Sequence, residues 1–374
     1  MPKSARLPVL YRRLRHAAAV APALFCLSCS VANPYYDPNI AHRAKEGFRN
    51  NYLVGDIGGS FLKWQYERIR DGVPKPPANN YRFPIDRPDV AWLKANRSVT
   101  TATWIGHATM LMQVAGVNLL TDPVFSERAS PVSFAGPQRK VPPGLQYDQL
   151  PHIDVVVISH NHYDHLDRDS VRRLNAQAGG APLFLVPLGI ESWMNDAGIT
   201  NVREMDWWQQ TRVDGLEITF VPVQHWSGRG IGDRFKALWG GWVVKTPDKP
   251  ANPTARPFAF FFAGDTGYSK DFADIHSRFD RFDLALLPIG AYQPRWFMRN
   301  QHVDPAEAVQ IHRDLRAKQS IAIHWGTFEL TDEPLDEPPV ALALERKKAG
   351  VPDAEFTALR HGEMRRFWRF KGAP

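Results

Sequence analysis

The run V-V-V-I-S-H-N-H-Y-D-H-L-D, Val155 to Asp167, decides how the rest of the chain is read. Val155 to Ile158 is a short, continuous, β-branched stretch, the pattern of a strand covered on both faces. His160, His162, Asp164 and His165 follow at once. In a chain still extended as it leaves a strand, His160 and His162 project to the same side. The turn beyond lets Asp164 and His165 enter the same space from a second direction. Three imidazoles and a carboxylate in so short a segment exceed what one tetrahedral zinc takes locally. Two metals are the natural reading, one held by His160 and His162, the other by Asp164 and His165. The alternative is a polar loop of solvated histidines.

Further donors stand just beyond other apolar runs. His225 follows F-V-P-V-Q, Asp265 follows F-A-F-F-F-A-G, and His324 follows I-A-I. Residues at one rim of a sheet converge although far apart in sequence. Counting donors assigns His160, His162 and His225 to one metal and Asp164, His165 and His324 to the other. Asp265, with two oxygens, can bridge them. Its charge at the end of an apolar strand calls for compensation, which two cations supply. The only cysteines are Cys26 and Cys29, so the rest of the chain has neither a disulfide nor a thiolate ligand.

His107 in W-I-G-H-A-T and His302 in N-Q-H-V-D sit near presumed strand ends, read either as substrate or ligand contacts or as packed side chains. Asp122, ending L-L-T-D, can orient a group of the ligand loop or serve an ordinary Asp-Pro turn. Tyr292, Arg295 and Gln301 join the candidates for contacting either a ligand residue or the substrate, with Arg295 read as a phosphate contact or as a surface guanidinium on an aromatic.

The chain has 374 residues and a formal charge of +7. Lys3, Arg6, Arg12, Arg13 and Arg15 precede any acidic residue, and without them 41 basic residues face 39 acidic ones. That balance excludes a general nucleic-acid surface. The basic start, the apolar A-A-A-V-A-P-A-L-F-C-L and Cys29 read as a processing segment over residues 1–29, with Cys29 placed like a lipid-attachment cysteine. The expected location is a bacterial envelope, anchored to the membrane; a cytoplasmic protein is the alternative.

Residues 30–88 read as an arm packed on the main domain, with short helices over 44–50 and 61–70. Residues 89–374 form the main domain. Strands are expected over 101–105, 109–114, 117–120, 155–158, 182–186, 202–205, 216–223, 239–246, 258–263, 284–289 and 320–323. Helices are expected over 168–177, with Asp167 as N-cap, and over 190–197, 269–278, 305–315 and 339–349. Early hairpins followed by alternating strands and helices give an α/β fold with helices outside sheets.

These residues carry a resemblance. H-N-H-Y-D-H with His225, Asp265 and His324 resembles the metallo-β-lactamase superfamily. G-H-A-T, L-L-T-D-P-V-F-S-E-R-A-S-P, Q-H-W, F-F-A-G-D-T-G-Y, P-I-G-A-Y-Q-P-R-W-F-M, Q-H-V-D-P-A-E and A-I-H-W-G-T-F are similar to the N-acyl-phosphatidylethanolamine-hydrolysing phospholipase D family, from about Trp104 to His361. The resemblance implies a four-layer αββα sandwich, two Zn2+ held by the seven residues above with Asp265 bridging, and a phospholipid substrate split into N-acylethanolamine and phosphatidic acid. Expected chemistry is attack by a hydroxide held between the metals, with His302 a candidate proton donor to the leaving group. Trp207, Trp208, Trp226, Trp239, Trp242 and Trp296 read either as lipid contacts or as core. Another hydrolase of the same scaffold, acting on a lactone or small phosphodiester, and a non-catalytic zinc-binding envelope lipoprotein are the rival readings.

Overall fold

A computed structural model describes residues 33–52, 60–78, 80–247 and 257–367. The basic and apolar N-terminal stretch with Cys26 and Cys29 lies outside these residues.

In the arm, β1 (Arg43–Ala44) pairs with β2 (Gly47–Phe48) where a helix is expected. Gly47 accounts for the difference. At φ +151° it lies against the Phe235 carbonyl, where a Cβ has no room, and Phe48 N donates to that carbonyl at 2.8 Å. Docking of the segment overrides local helix propensity. The second arm helix is present as α1 (Ser60–Asp71). A short helix not read from the sequence follows, α2 (Val90–Ala95), capped by Asp89, whose carboxylate accepts from Trp92 N.

Two seven-stranded sheets follow. The first contains β3 (Thr100–Gly106), β4 (Thr109–Val114), β5 (Val117–Thr121), β6 (Val155–Val157), β7 (Leu183–Pro187) and β8 (Val202–Met205), with β16 (Met364–Phe367) closing the edge beside β3. The pairs from β16 to β5 are antiparallel and those from β5 to β8 parallel. The second sheet runs in order from β9 (Gln210–Val213) through β10 (Leu216–Val221), β11 (Gly241–Lys245), β12 (Ala259–Phe262), β13 (Leu284–Pro288) and β14 (Ser320–Ile323) to β15 (Phe356–Ala358).

Strand alternation shows the layering. Val155 and Val157 pack in the cluster that includes Phe220, Trp242, Phe260 and Phe262 of the other sheet. Val156 and Ile158 pack instead with Val171 and Leu174 of α3 (Arg168–Asn175) and Met194 of α4 (Glu191–Asp196). A strand covered on both faces needs apolar residues at every position, as the V-V-V-I run has. Each such side chain, fully buried, contributes about 1.5–3 kcal/mol. On the second sheet, Phe261 turns outward onto Phe272 of α5 (Asp271–Phe279), its ring 6.3 Å away. α7 (Pro305–Asp314) packs beside α5 and α8 (Glu337–Ala349), α6 (Arg295–Met298) packs on α1, and α7 opens with Pro305 behind a capping box of Asp304 and Glu307. The result is the four-layer αββα sandwich. Trp242 ties its halves together, its Nε1 donating to Ile158 O at 2.9 Å across the interface.

The tryptophans expected near a lipid divide sharply. Trp207, Trp239 and Trp242 are core, their indole N–H groups donating to Trp239 O, to Val223 O and Asn50 Oδ1, and to Ile158 O. Trp208 is stacked under Arg278, Trp296 is exposed, and Trp226 alone of these stands in ring contact with a histidine of the Val155–Asp167 run.

Candidate metal centre

Strand ends place the donors. Asp122 follows β5 directly, His107 follows β3, and His324 follows β14, while the His160–His165 loop, His225 and Asp265 lie a few residues beyond β6, β10 and β12. His107, Asp122 and His324 all have positive φ, at 53°, 30° and 60°. Such backbone is costly for a side-chain-bearing residue and is held by its surroundings. His324 N donates to His107 O at 2.9 Å, and Asp122 N to Val157 O at 3.0 Å.

His160 Nε2 lies 2.8 Å from His162 Nδ1, and His225 Nε2 lies 3.3 Å from the same atom. The outer nitrogens of His160 and His225 are engaged elsewhere: His160 Nδ1 with Ser159 Oγ at 2.9 Å and His225 Nδ1 with Gln301 O at 2.8 Å. Each therefore presents a lone pair inward. A second set adjoins, with His324 Nε2 3.3 Å and His165 Nε2 3.4 Å from Asp164 Oδ2. Asp265 stands between the sets, with Oδ2 3.2 Å from His165 Nε2, 3.9 Å from His225 Nε2 and 4.0 Å from His160 Nε2, while Oδ1 is 3.1 Å from His324 Nε2. All seven sequence-derived donors thus meet in one place.

Despite these short distances, Asp265 Oδ1, His165 Nε2 and His162 Nε2 are buried without a hydrogen bond. Buried polar atoms that converge without aligning into hydrogen bonds fit a cation between them. Oxygen and imidazole donors of this kind suit Zn2+ and related divalent ions. The sets His160, His162, His225 and Asp164, His165, His324 (with His107) each bring their ligand atoms within 4.8 Å of one another.

Electrostatics divides the imidazoles. Burial pushes His160 well below its ordinary value, and His162 and His225 down to about 3, so these rings are neutral, as ligands must be. Burial lowers His165 and His324 as well, but the Asp265 and Asp164 carboxylates outweigh it, holding His165 well above its usual value and His324 at about 9. Against the burial penalty, His165 and its neighbours keep Asp164 and Asp265 well below the carboxylate range.

Around the donors lies a set of orienting contacts. Asp122 Oδ2 is 2.7 Å from His165 Nδ1, and Asp122 also accepts from Ser159 N at 2.7 Å and Ser159 Oγ at 2.5 Å. One buried carboxylate thereby orients His165 directly and His160 through Ser159. His107 donates from Nε2 to Asp164 Oδ2 at 2.9 Å, and its ring lies 4.0 Å from that of His324. Gln301 acts through its backbone carbonyl, on His225. His302 places Nδ1 3.7 Å from Asp265 Oδ2, and burial holds it neutral, down at about 3.

Two of these candidates have carboxylate partners. Tyr292 donates its hydroxyl to Glu337 at 2.6 Å. Arg295 reaches Glu307 at 2.7 Å, Asp304 at 3.3 Å and His302 O at 2.7 Å. Two carboxylates and a carbonyl hold its guanidinium, which clamps the loop that carries His302. Asp167 sits at the N-cap of α3, but its carboxylate caps no helix N–H and accepts from Ser126 N and Ser170 Oγ instead.

Contacts that the sequence did not disclose include Ser159 and Asn50. Asn50 Oδ1 accepts from His225 N, and Asn50 Nδ2 donates to His225 O, both at 3.0 Å. The adjacency of Ser159 to His160 is a signal available in sequence; nothing marks Asn50.

Residues 117–325 match the family described as the β-lactamase superfamily domain. The chain belongs to the metallo-β-lactamase superfamily. It is thereby a metal-dependent hydrolase of the metallo-β-lactamase fold. Within the superfamily, it is 41% identical over 278 residues to N-acyl-phosphatidylethanolamine-hydrolyzing phospholipase D 1 of Caenorhabditis elegans, covering 70% of this chain and 74% of the relative. It is 36% identical over 257 residues to the mitochondrial N-acyl-phosphatidylethanolamine-hydrolyzing phospholipase D of Saccharomyces cerevisiae, covering 67% of this chain and 53% of that one. A possible metal-dependent hydrolase from Veillonella parvula has the same superfamily fold, with a TM-score of 0.56 at 18% identity over 72% of this chain and all of that one.

Proposed function

We propose that this protein is a phosphodiesterase of phospholipase D type, releasing N-acylethanolamine and phosphatidic acid from N-acyl-phosphatidylethanolamine with two Zn2+ ions. The observation carrying this reading is Asp265 between two donor sets, joined to the identity with the worm and yeast relatives. Two divalent cations, if held at these donors, would supply Lewis acidity toward a phosphoryl oxygen and a water ionised near neutral pH. The chain does the rest by position. Asp265 sets the spacing of the two ligand sets, Asp164 and the five histidines hold them, and Asp122, His107 and the Gln301 carbonyl fix how Asp164 and three of the rings face inward. His302, neutral and 3.7 Å from Asp265, would hydrogen-bond the departing oxygen. Trp226, 4.2 Å from the His162 ring, offers apolar surface at the same wall.

Such a substrate resides in a bilayer. Attachment of lipid at Cys29 would hold the protein on that surface, in the envelope. Among the described residues no helix is long and apolar enough to cross a membrane.

The test is hydrolysis of dispersed N-acyl-phosphatidylethanolamine by purified protein. Release of N-acylethanolamine that stops with a chelator, returns with Zn2+ and is absent in Asp265→Asn supports the reading. Turnover confined to a lactone or a small soluble phosphodiester replaces it with another hydrolase of this fold, and zinc uptake without turnover replaces it with a binding protein.

A further inference from the structure

We propose that Arg229 is a positioning residue of the metal centre, fixing the His160–His165 loop against the segment that carries His225. This rests on the reading of the clustered histidines and aspartates as metal ligands.

The first donor set comes from two separate pieces of chain. His160 and His162 lie on a loop beyond β6 that has no regular ladder, and His225 lies beyond β10. Their ligand atoms must hold a spacing to within a few tenths of an ångström for a metal to be bound well. Arg229, four residues past His225, spans the gap. Its Nη1 donates to Asn161 O at 2.8 Å and to Leu166 O at 2.7 Å. One nitrogen thus gathers carbonyls from the two ends of the ligand loop, with a hydrogen for each.

The connection is returned in the other direction. Tyr163 OH donates to Arg229 O, and Gly228 N donates to Asn161 Oδ1, both at 2.8 Å. The guanidinium lies over two rings, 4.0 Å from the centroid of Tyr163 and 4.7 Å from that of Trp193 on α4. Asp233 accepts from Arg229 N and Gly230 N, closing the turn from which the side chain leaves.

The choice of residue type argues for position over mere stability. Among the described residues no carboxylate pairs with Arg229 within 4.0 Å, and burial lowers its pKa to about 10. Desolvating a cation to satisfy carbonyls is an expensive way to fill space, which an apolar side chain would do at less cost. What the guanidinium adds is a flat donor that packs against the Tyr163 and Trp193 rings while one nitrogen bonds at its edge. Lysine lacks that plane.

The experiment uses the full chain loaded with Co2+, with metal affinity read by chelator competition and coordination by the visible spectrum. Arg229→Met keeps the bulk and removes the donors; Arg229→Lys keeps the charge; Tyr163→Phe removes only the returning bond. Arg229→Met is expected to bind metal about 10–100-fold more weakly, with a shifted Co2+ spectrum. Arg229→Lys should recover only part of the loss, and Tyr163→Phe should show a smaller loss in the same direction. A Met variant with parental affinity and spectrum overturns the proposal. So does a variant whose melting temperature falls while its metal affinity and spectrum do not change. If Arg229→Met fails to fold, Tyr163→Phe decides by the same two readouts. A parent chain that takes up no metal at all overturns the metal-centre reading itself, which the parent alone reports.

Discussion

Asp122 Oδ2 stands 2.7 Å from His165 Nδ1, two fully buried side chains 43 positions apart in the chain. The same oxygen accepts from Ser159 Oγ, which contacts His160 Nδ1, so one carboxylate at the end of β5 fixes rings that face different ligand sets. Asp122→Asn replaces an acceptor facing His165 with an amide of equal size. Its metal affinity should fall about 10–100-fold in chelator competition. Ser159→Ala should weaken binding less, because it removes the hydroxyl's bonds to Asp122 and His160 but leaves the Asp122–His165 contact. Equal affinity in parent and Asp122→Asn would show the contact to be packing alone.

Gly264 prepares the position of Asp265. It has φ +61°, and a Cβ there would run into the Ser159 side chain. Gly264→Ala therefore meets both a backbone penalty and a collision beside the ligand loop. A loss of about 1–3 kcal/mol in unfolding free energy is expected, with reduced metal content after dialysis. An alanine variant as stable as the parent would show that the loop yields freely.

Metal uptake should release protons. Without a cation, the Asp265 and Asp164 carboxylates raise His324 to about 9 and His165 well above its ordinary value, so both rings carry protons at pH 7. A cation among the same donors takes the place of those protons. Apparent affinity should rise with pH and level off above about 9 as far as His324 is concerned. Titration calorimetry at pH 7 in two buffers of different ionisation heat measures the release; identical heats in both would contradict it.

The arm reaches the centre through Asn50. Its amide bonds both backbone groups of His225 and accepts from Trp239 Nε1. Asn50→Ala leaves buried polar groups unpaired, which costs about 1–3 kcal/mol per group. The melting temperature should fall and metal affinity should weaken with it. A variant with unchanged melting temperature would mean that water replaces the amide without loss.

The strand ends that carry donors were legible because buried strands of a sandwich are apolar at every position and stop abruptly at a polar residue. V-V-V-I before His160 and F-F-F-A before Asp265 are such stops. The edge strands Gln210–Val213, Phe356–Ala358 and Met364–Phe367 escaped notice, being short and, for the most part, only partly buried. Arg295 and Tyr292 looked available because sequence gives no sign that Glu307, Asp304 and Glu337 come to meet them. Asn50 was invisible for the opposite reason. An asparagine in a polar stretch is ordinary, and only the fold brings it 3.0 Å from a residue 175 positions away. The Ala44–Asn50 segment carried a helical pattern locally and lost it to docking against Phe235.

The most direct measurement is the number of metal ions bound per chain after equilibration with Zn2+ and removal of excess, for the parent and for Asp265→Asn. Two ions in the parent, at most one in the variant, and loss of N-acylethanolamine release together are the expected result. A parent that retains no metal, or a variant that keeps both ions and full turnover, would contradict a centre built across Asp265.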